Sequence, residues 1–161
     1  MTSLTEPRYE KRDGFLIAGL TQRFTPDTMS NIAKIWQKFV PHIGKVPGQA
    51  GKVTWGIISN FTNVEAFDYT AAVEISPYAG LPAKLDVIHV PALTYAVFAH
   101  SGHVSGLKQT IDAIWRDWQP NAPNAMKSPR PGVPSLLERY GEDFSHKTAL
   151  GVVEVWVPLA S

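Results

Sequence analysis

Cysteine is missing from this sequence of 161 residues. That excludes disulfides, thiolate nucleophiles and Cys-rich zinc sites. A basic block is missing too. The formal net charge is +1, and clustered Lys/Arg is what displaces counterions from nucleic acid, so no direct nucleic-acid partner is expected. No apolar run approaches the roughly 20 residues that span a membrane. The first residues, MTSLTEPRYEKRDG, contain no apolar stretch of the secretory kind. The expected setting is therefore cytoplasmic, with no membrane partner. H-E-x-x-H, G-x-S-x-G and a phosphate-cradling glycine loop are absent as well. Their absence removes the signatures of common hydrolases and nucleotide enzymes and leaves no cofactor to expect.

What is present is a globular composition: 44% hydrophobic, 18% charged and 11% aromatic, with 5 tryptophans. The length suits one domain with a core of its own, spanning residues 1–161. The chain also repeats itself. Residues 35–41 read IWQKFVP and residues 114–120 read IWRDWQP. Ala72-Val73-Glu74-Ile75 is matched by Val152-Val153-Glu154-Val155. The two matches keep their order at nearly the same offset, which points to duplication. Repeat 1 covers about 9–76 and repeat 2 about 93–158.

Local patterns give both repeats the same element order. Residues 15–24 are β-rich. Thr25-Pro26-Asp27 has the form of a helix start. Met29, Ile32, Ala33, Trp36, Phe39 and Val40 follow at helical spacing, and Pro41 and Gly44 end it. Residues 53–59 and 67–76 alternate as strands. In the second repeat, 93–99 is a strand and Ser105 is placed to cap a helix. Leu107, Ile111, Ile114, Trp115 and Trp118 share one face of that helix, which Pro120 ends. Residues 135–140 and 149–157 close the repeat as strands. Residues 86–91 read as a linker, and the proline-rich 119–134 as a long loop. The expected fold is α+β: duplicated β-α-β-β modules related by a pseudo-twofold, about eight antiparallel strands and two helices. A cleft between the repeats is the natural place for a small ligand.

Candidate functional residues follow from alternation. Glu138 shares a strand face with Leu136 and Tyr140, while Leu137 and Arg139 point the other way. It is either a solvated charge or a carboxylate at the floor of an aromatic cleft. In the second case a bound cation would offset the cost of burying an ion. Glu74 and Glu154 are equivalent positions of the repeat, either outward-facing or paired across the cleft. Trp36 and Trp115 are likewise equivalent, either core or ligand wall. Tyr69 and Tyr95 lie on strands, where alternation turns half of the aromatics towards the cleft. His100 and His103 supply two nitrogens in a turn with no third ligand nearby, so no metal is expected.

Four segments carry a family resemblance: residues 88–102 (IHVPALTYAVFAHSG), Trp115-x-x-Trp118-x-Pro120, Leu137-Glu138-Arg139-Tyr140, and the terminal VEVWVP of 153–158. With these in order, the chain resembles the effector-binding domain of AraC-type transcription regulators, the DNA gyrase inhibitor-like (GyrI-like) family, from about Tyr9 to Pro158. The resemblance implies a domain that binds hydrophobic, often cationic, aromatic small molecules in a cleft between the repeats. It puts Glu138 in the cleft with Tyr140 beside it, and Glu154 at a terminal-strand glutamate position. Some members open cyclopropane-type electrophiles with glutamates and a cleft tyrosine; Glu138, Glu74 and Tyr69 or Tyr95 would fill such roles. Binding without catalysis is the leading reading. A separate protein partner, as in gyrase inhibition, is the other alternative. The regulators of this family carry a helix-turn-helix segment; with the first strand starting near residue 15, none is expected here, and a stand-alone domain is the expectation.

Overall fold

The computed structural model describes residues 6–60, 62, 66–76, 85–100, 103–125, 132–148 and 150–160. Eight strands form one antiparallel sheet: β1 (Arg8–Arg12), β2 (Phe15–Phe24), β3 (Gln49–Ser59), β4 (Phe67–Ile75), β5 (Asp86–Val90), β6 (Leu93–His100), β7 (Leu136–Tyr140) and β8 (Val153–Pro158). Two helices, α1 (Ile32–Phe39) and α2 (Leu107–Ala113), lie on one face, and α2 runs on through a π-helical turn, Ile114–Trp118. This is the α+β class expected. No described helix is long and apolar enough to cross a membrane.

The strand order is β1-β6-β8-β7-β3-β4-β2-β5. Exchanging each strand for its counterpart in the other repeat reverses that order, so the sheet carries a pseudo-twofold between β3 and β7. Ile57 and Leu137 sit opposite each other at that seam. Two strands escaped the sequence patterns. Residues 86–90 are not a linker but β5, paired with β2. Residues 8–12 form β1, paired with β6 of the other repeat. Both are five-residue edge strands. The RYEKR of β1 has charge where alternation would show apolar residues, as protected edges do.

Order and connectivity together make the sheet curl. Only Asp13 and Gly14 join β1, at one edge, to β2 near the other. Only Pro91 and Ala92 join β5 to β6 across the same span. Links this short close only if the two edges approach each other. Arg12 of β1 confirms the approach: it stacks over Phe15, 3.9 Å from the ring centroid, and pairs with Glu74 on β4. The resulting half-barrel buries Ile17, Trp55, Ile57, Tyr95, Leu137 and Trp156 on its inner face. Trp55 is 1% exposed although no helix covers it.

The outer face carries the helices and two apolar clusters. Phe24, Ile35, Phe39, Tyr69 and Val73 form one; Phe98, Ile114, Leu136, Tyr140 and Val155 form the other. Trp36 and Ile58 pack against both. The helix starts differ from the sequence expectation. In the first repeat, the Thr25 N–H donates to Thr28 Oγ1, a 3-10 turn follows at Met29–Asn31, and the α-helix begins only at Ile32. In the second, His103 is the cap, accepting from the Ser105 N–H through Nδ1 at 3.0 Å.

Candidate functional site

The apolar stripe of α1 is wider than the sheet needs. Ile35 and Phe39 are buried against the strands. Ile32, Ala33, Trp36 and Val40 instead form one wall of a cleft of about 690 Å³. Val104 and Leu107, at the start of α2, form another. The turn after β7 supplies Phe144, His146 and Lys147. Tyr69 from β4 and Glu138 and Tyr140 from β7 make the floor.

Glu138 is 6% exposed. It sits there because β7 alternates Leu136, Glu138 and Tyr140 onto the helix face, with Leu137 turned to the inner core. The Tyr69 hydroxyl donates to Glu138 Oε1 at 2.5 Å and the Tyr140 hydroxyl to the same oxygen at 2.7 Å. Trp36 Nε1–H donates in turn to the Tyr69 oxygen at 2.8 Å, which commits the Tyr69 proton to the carboxylate. Glu138 makes no ion pair among the described residues. Burial pushes its carboxyl above the ordinary value, and the two tyrosine hydrogen bonds restrain the rise without cancelling it. Burial, followed by the charge of Glu138, holds both tyrosine hydroxyls well above their usual range.

The rest of the floor and wall is aromatic. The Trp36 ring stands edge-on to Tyr140 at 5.2 Å and stacks on His146 at 4.5 Å. Phe144 packs against Tyr140 at 4.8 Å. His146 Nε2 lies 3.0 Å from the hydroxyl of Thr54, a buried residue. Burial lowers the His146 pKa, so the ring stays neutral around pH 7.

Four of the residues singled out from sequence meet here: Glu138, Tyr140, Tyr69 and Trp36. The other four do not. Glu154 lies on the inner face, bound by Arg8 at 2.7 Å and by Trp156 Nε1–H at 3.1 Å. Glu74 is on the same side and pairs with Arg12. Tyr95 packs on Trp156 in the inner core; burial pushes its hydroxyl up to about 12. Trp115 packs into the core of the second repeat. His100 is occupied internally, Nδ1 with Thr110 Oγ1 at 2.9 Å and Nε2 with the His103 carbonyl at 3.0 Å. No group of three or more metal-ligating side chains occurs among the described residues.

Sequence patterns missed Gly56, Thr54, Phe144 and His146. Gly56 pairs with Glu138 across the seam, and a Cβ there would overlap both the Tyr69 hydroxyl and Glu138 Oε1. Its signal was visible: a glycine inside an apolar strand marks a close approach. Phe144 and His146 sit in a turn with no periodicity to expose them.

A sequence model of integron-associated effector-binding proteins, the Cass2 family, matches residues 8–159. The chain belongs to this family. Its Cass2 membership covers the whole sheet, both helices and every residue of the cleft floor. The Pseudomonas aeruginosa transcriptional regulator BrlR is 28% identical over 109 residues, 67% of this chain. The match spans only 40% of BrlR. Two solved structures share the fold: SAV2435 bound to tetraphenylphosphonium, with a TM-score of 0.75 and 20% identity over 96% of this chain and 94% of that one; and the Vibrio cholerae integron cassette protein VCH_CASS2, with a TM-score of 0.68 and 20% identity over 97% of each. An effector-binding family whose fold is shared with a ligand-bound neighbour supports small-molecule binding by this Cass2 protein.

Proposed function

We propose that the protein binds hydrophobic aromatic cations in the cleft between α1 and the β7 turn, with Glu138 as counter-ion and Trp36, Tyr69, Tyr140 and Phe144 as walls. One observation carries the reading. A carboxylate is buried at the floor of an aromatic cleft with hydroxyl partners but no cation partner among the described residues. Burying a lone carboxylate costs several kcal/mol, and hydroxyl donors offset that only in part. A cationic ligand supplies the missing charge. Each aromatic ring facing that cation adds roughly 0.5–2 kcal/mol. The volume, about 690 Å³, fits a drug-sized molecule. That SAV2435 is bound to tetraphenylphosphonium, a hydrophobic aromatic cation, supports the same chemistry here.

Binding is favoured over hydrolysis of strained electrophiles. Both tyrosine protons are directed at Glu138 Oε1, and both hydroxyls are held above their usual pKa, so neither is poised as an acid. The test is a fluorescence titration with rhodamine 6G. The wild type binds, and Glu138→Gln, which keeps the shape and removes the charge, binds at least about tenfold more weakly. Equal affinity would refute the assignment.

A further inference from the structure

The carboxylate of Glu138 is used unevenly. Oε1 accepts from Tyr69 and from Tyr140, which fills both of its lone-pair directions. Oε2 receives no hydrogen bond from any described residue. Yet Glu138 is 6% exposed and lines the cleft, so its remaining polar edge meets whatever occupies that space. No described residue offers a donor to Oε2. His146 is turned to Thr54 through Nε2, and Lys147 is exposed on the turn beyond it. Gln37, the remaining polar side chain on the walls, is exposed on α1.

From this geometry we infer that the cleft is built for cations that carry an N–H, protonated lipophilic amines or amidines, in preference to quaternary onium ions. The inference rests on the cation-binding reading above and sharpens its ligand class. A quaternary ammonium or phosphonium neutralises the charge of Glu138 but covers Oε2, which is open to the cleft, without offering it a donor. A protonated amine does both, through a charge-assisted hydrogen bond of the strong kind. Sites built to hydrogen-bond a ligand discriminate sharply against analogues lacking the donor, because the site's own polar atom is then left unpaired. The two tyrosines add direction. By occupying Oε1 they leave one approach to the carboxylate, so the ligand's N–H must enter along the Oε2 edge.

The test compares one aromatic scaffold in two charge-matched forms: anthracenylmethyl-dimethylamine, protonated at pH 7, and anthracenylmethyl-trimethylammonium. Both are titrated by fluorescence into the wild type and into Glu138→Gln. The protonated amine is expected to bind the wild type at least about tenfold more tightly, the scale of a hydrogen bond to a charged group. Glu138→Gln is expected to bring the two affinities within about twofold of each other. Equal wild-type affinities, or tighter binding of the trimethyl form, would overturn the inference and leave the cation cleft standing. A preference that persists unchanged in Glu138→Gln would also overturn it, since Oε2 would then not be its source. If neither compound binds the wild type, the cation cleft itself is wrong and the inference falls with it.

Discussion

On the proposed cation-binding reading, Glu138 would set ligand affinity and the resting stability of the fold against each other. Its folded pKa is raised by burial, so the folded state holds its proton more tightly than the unfolded chain does. The stabilising contribution of that proton is complete below the unfolded value and is lost as pH rises through the folded one. At pH 7, above the unfolded value, the ligand-free protein therefore carries the cost of burying this carboxyl, either as a buried charge or as an added proton. Glu138→Gln keeps an acceptor for Tyr69 and Tyr140 without that charge. It is expected to melt at a higher temperature than the wild type at pH 7, with the gap closing towards pH 4. His146 pulls the other way: its pKa is lowered by burial, so its contribution falls as pH falls. It titrates in both proteins and largely cancels in the comparison. Cation affinity of the wild type should follow the opposite slope from the Glu138 term of stability. It is lost on acidification, by up to about tenfold per pH unit below the Glu138 pKa. Thermal unfolding and dye titration across pH 4–8 measure both; a wild type more stable than Glu138→Gln at pH 7 would contradict the argument.

Strand β3 is where the site depends on an element rather than on a side chain. Tyr69 reaches Glu138 diagonally over Gly56: the register sets Gly56 between Ala71 and Glu138 and sets Tyr69 opposite Ile58. Gly56→Ala puts a methyl into the space of the Tyr69 hydroxyl and Glu138 Oε1. It should cost about 1–3 kcal/mol as an overpacked substitution and weaken dye binding at least about tenfold. Tyr69→Phe removes one of the two overlapping oxygens, so Gly56→Ala should cost less in that background. A double-mutant cycle from chemical denaturation reads the coupling, and strict additivity would sink the contact. The same strand explains what the sequence could show. Alternation along β7 placed Glu138 with Tyr140, and duplication supplied the two helices and most of the sheet. It could not single out Tyr69 from Tyr95, because that choice rests on which strands neighbour β7, and pairing partners are not written in local periodicity. Likewise β1 and β5 stayed hidden. The residues of β1 pair as an edge should, without an apolar face to reveal it, and β5 puts only Ile88 and Val90 on the inner core, too few to set an alternation.

At the scale of the whole molecule, a symmetric scaffold carries an asymmetric site. The seam pairs Ile57 with Leu137, so the counterpart of Glu138 in the first repeat is Ile58, which packs in the outer core. Duplication kept Glu74 and Glu154 as equivalents, but on the inner face, where β1 holds both: Arg12 binds Glu74 and Arg8 binds Glu154. Burial would raise the Glu154 carboxyl, and Arg8, Trp156 and Arg139 outweigh that and hold it below its ordinary value. The outer face thus holds a buried carboxylate, Glu138, with no cation partner among the described residues, and the inner face uses Glu74 and Glu154 to lash the edge strand across the curl. Arg12→Ala separates the two roles. It removes the pair with Glu74 and the stacking on Phe15 and Trp55, so the closure of the half-barrel loosens. Thermal stability should fall, by an amount consistent with about 1–2 kcal/mol of lost cation–π and ion-pair interaction. Rhodamine 6G affinity should stay within about twofold of wild type, because the sheet itself lies between Arg12 and the cleft. A loss of affinity as large as that of Glu138→Gln, in a variant still folded by circular dichroism, would mean that curl and cleft are coupled and that the two faces do not divide the work.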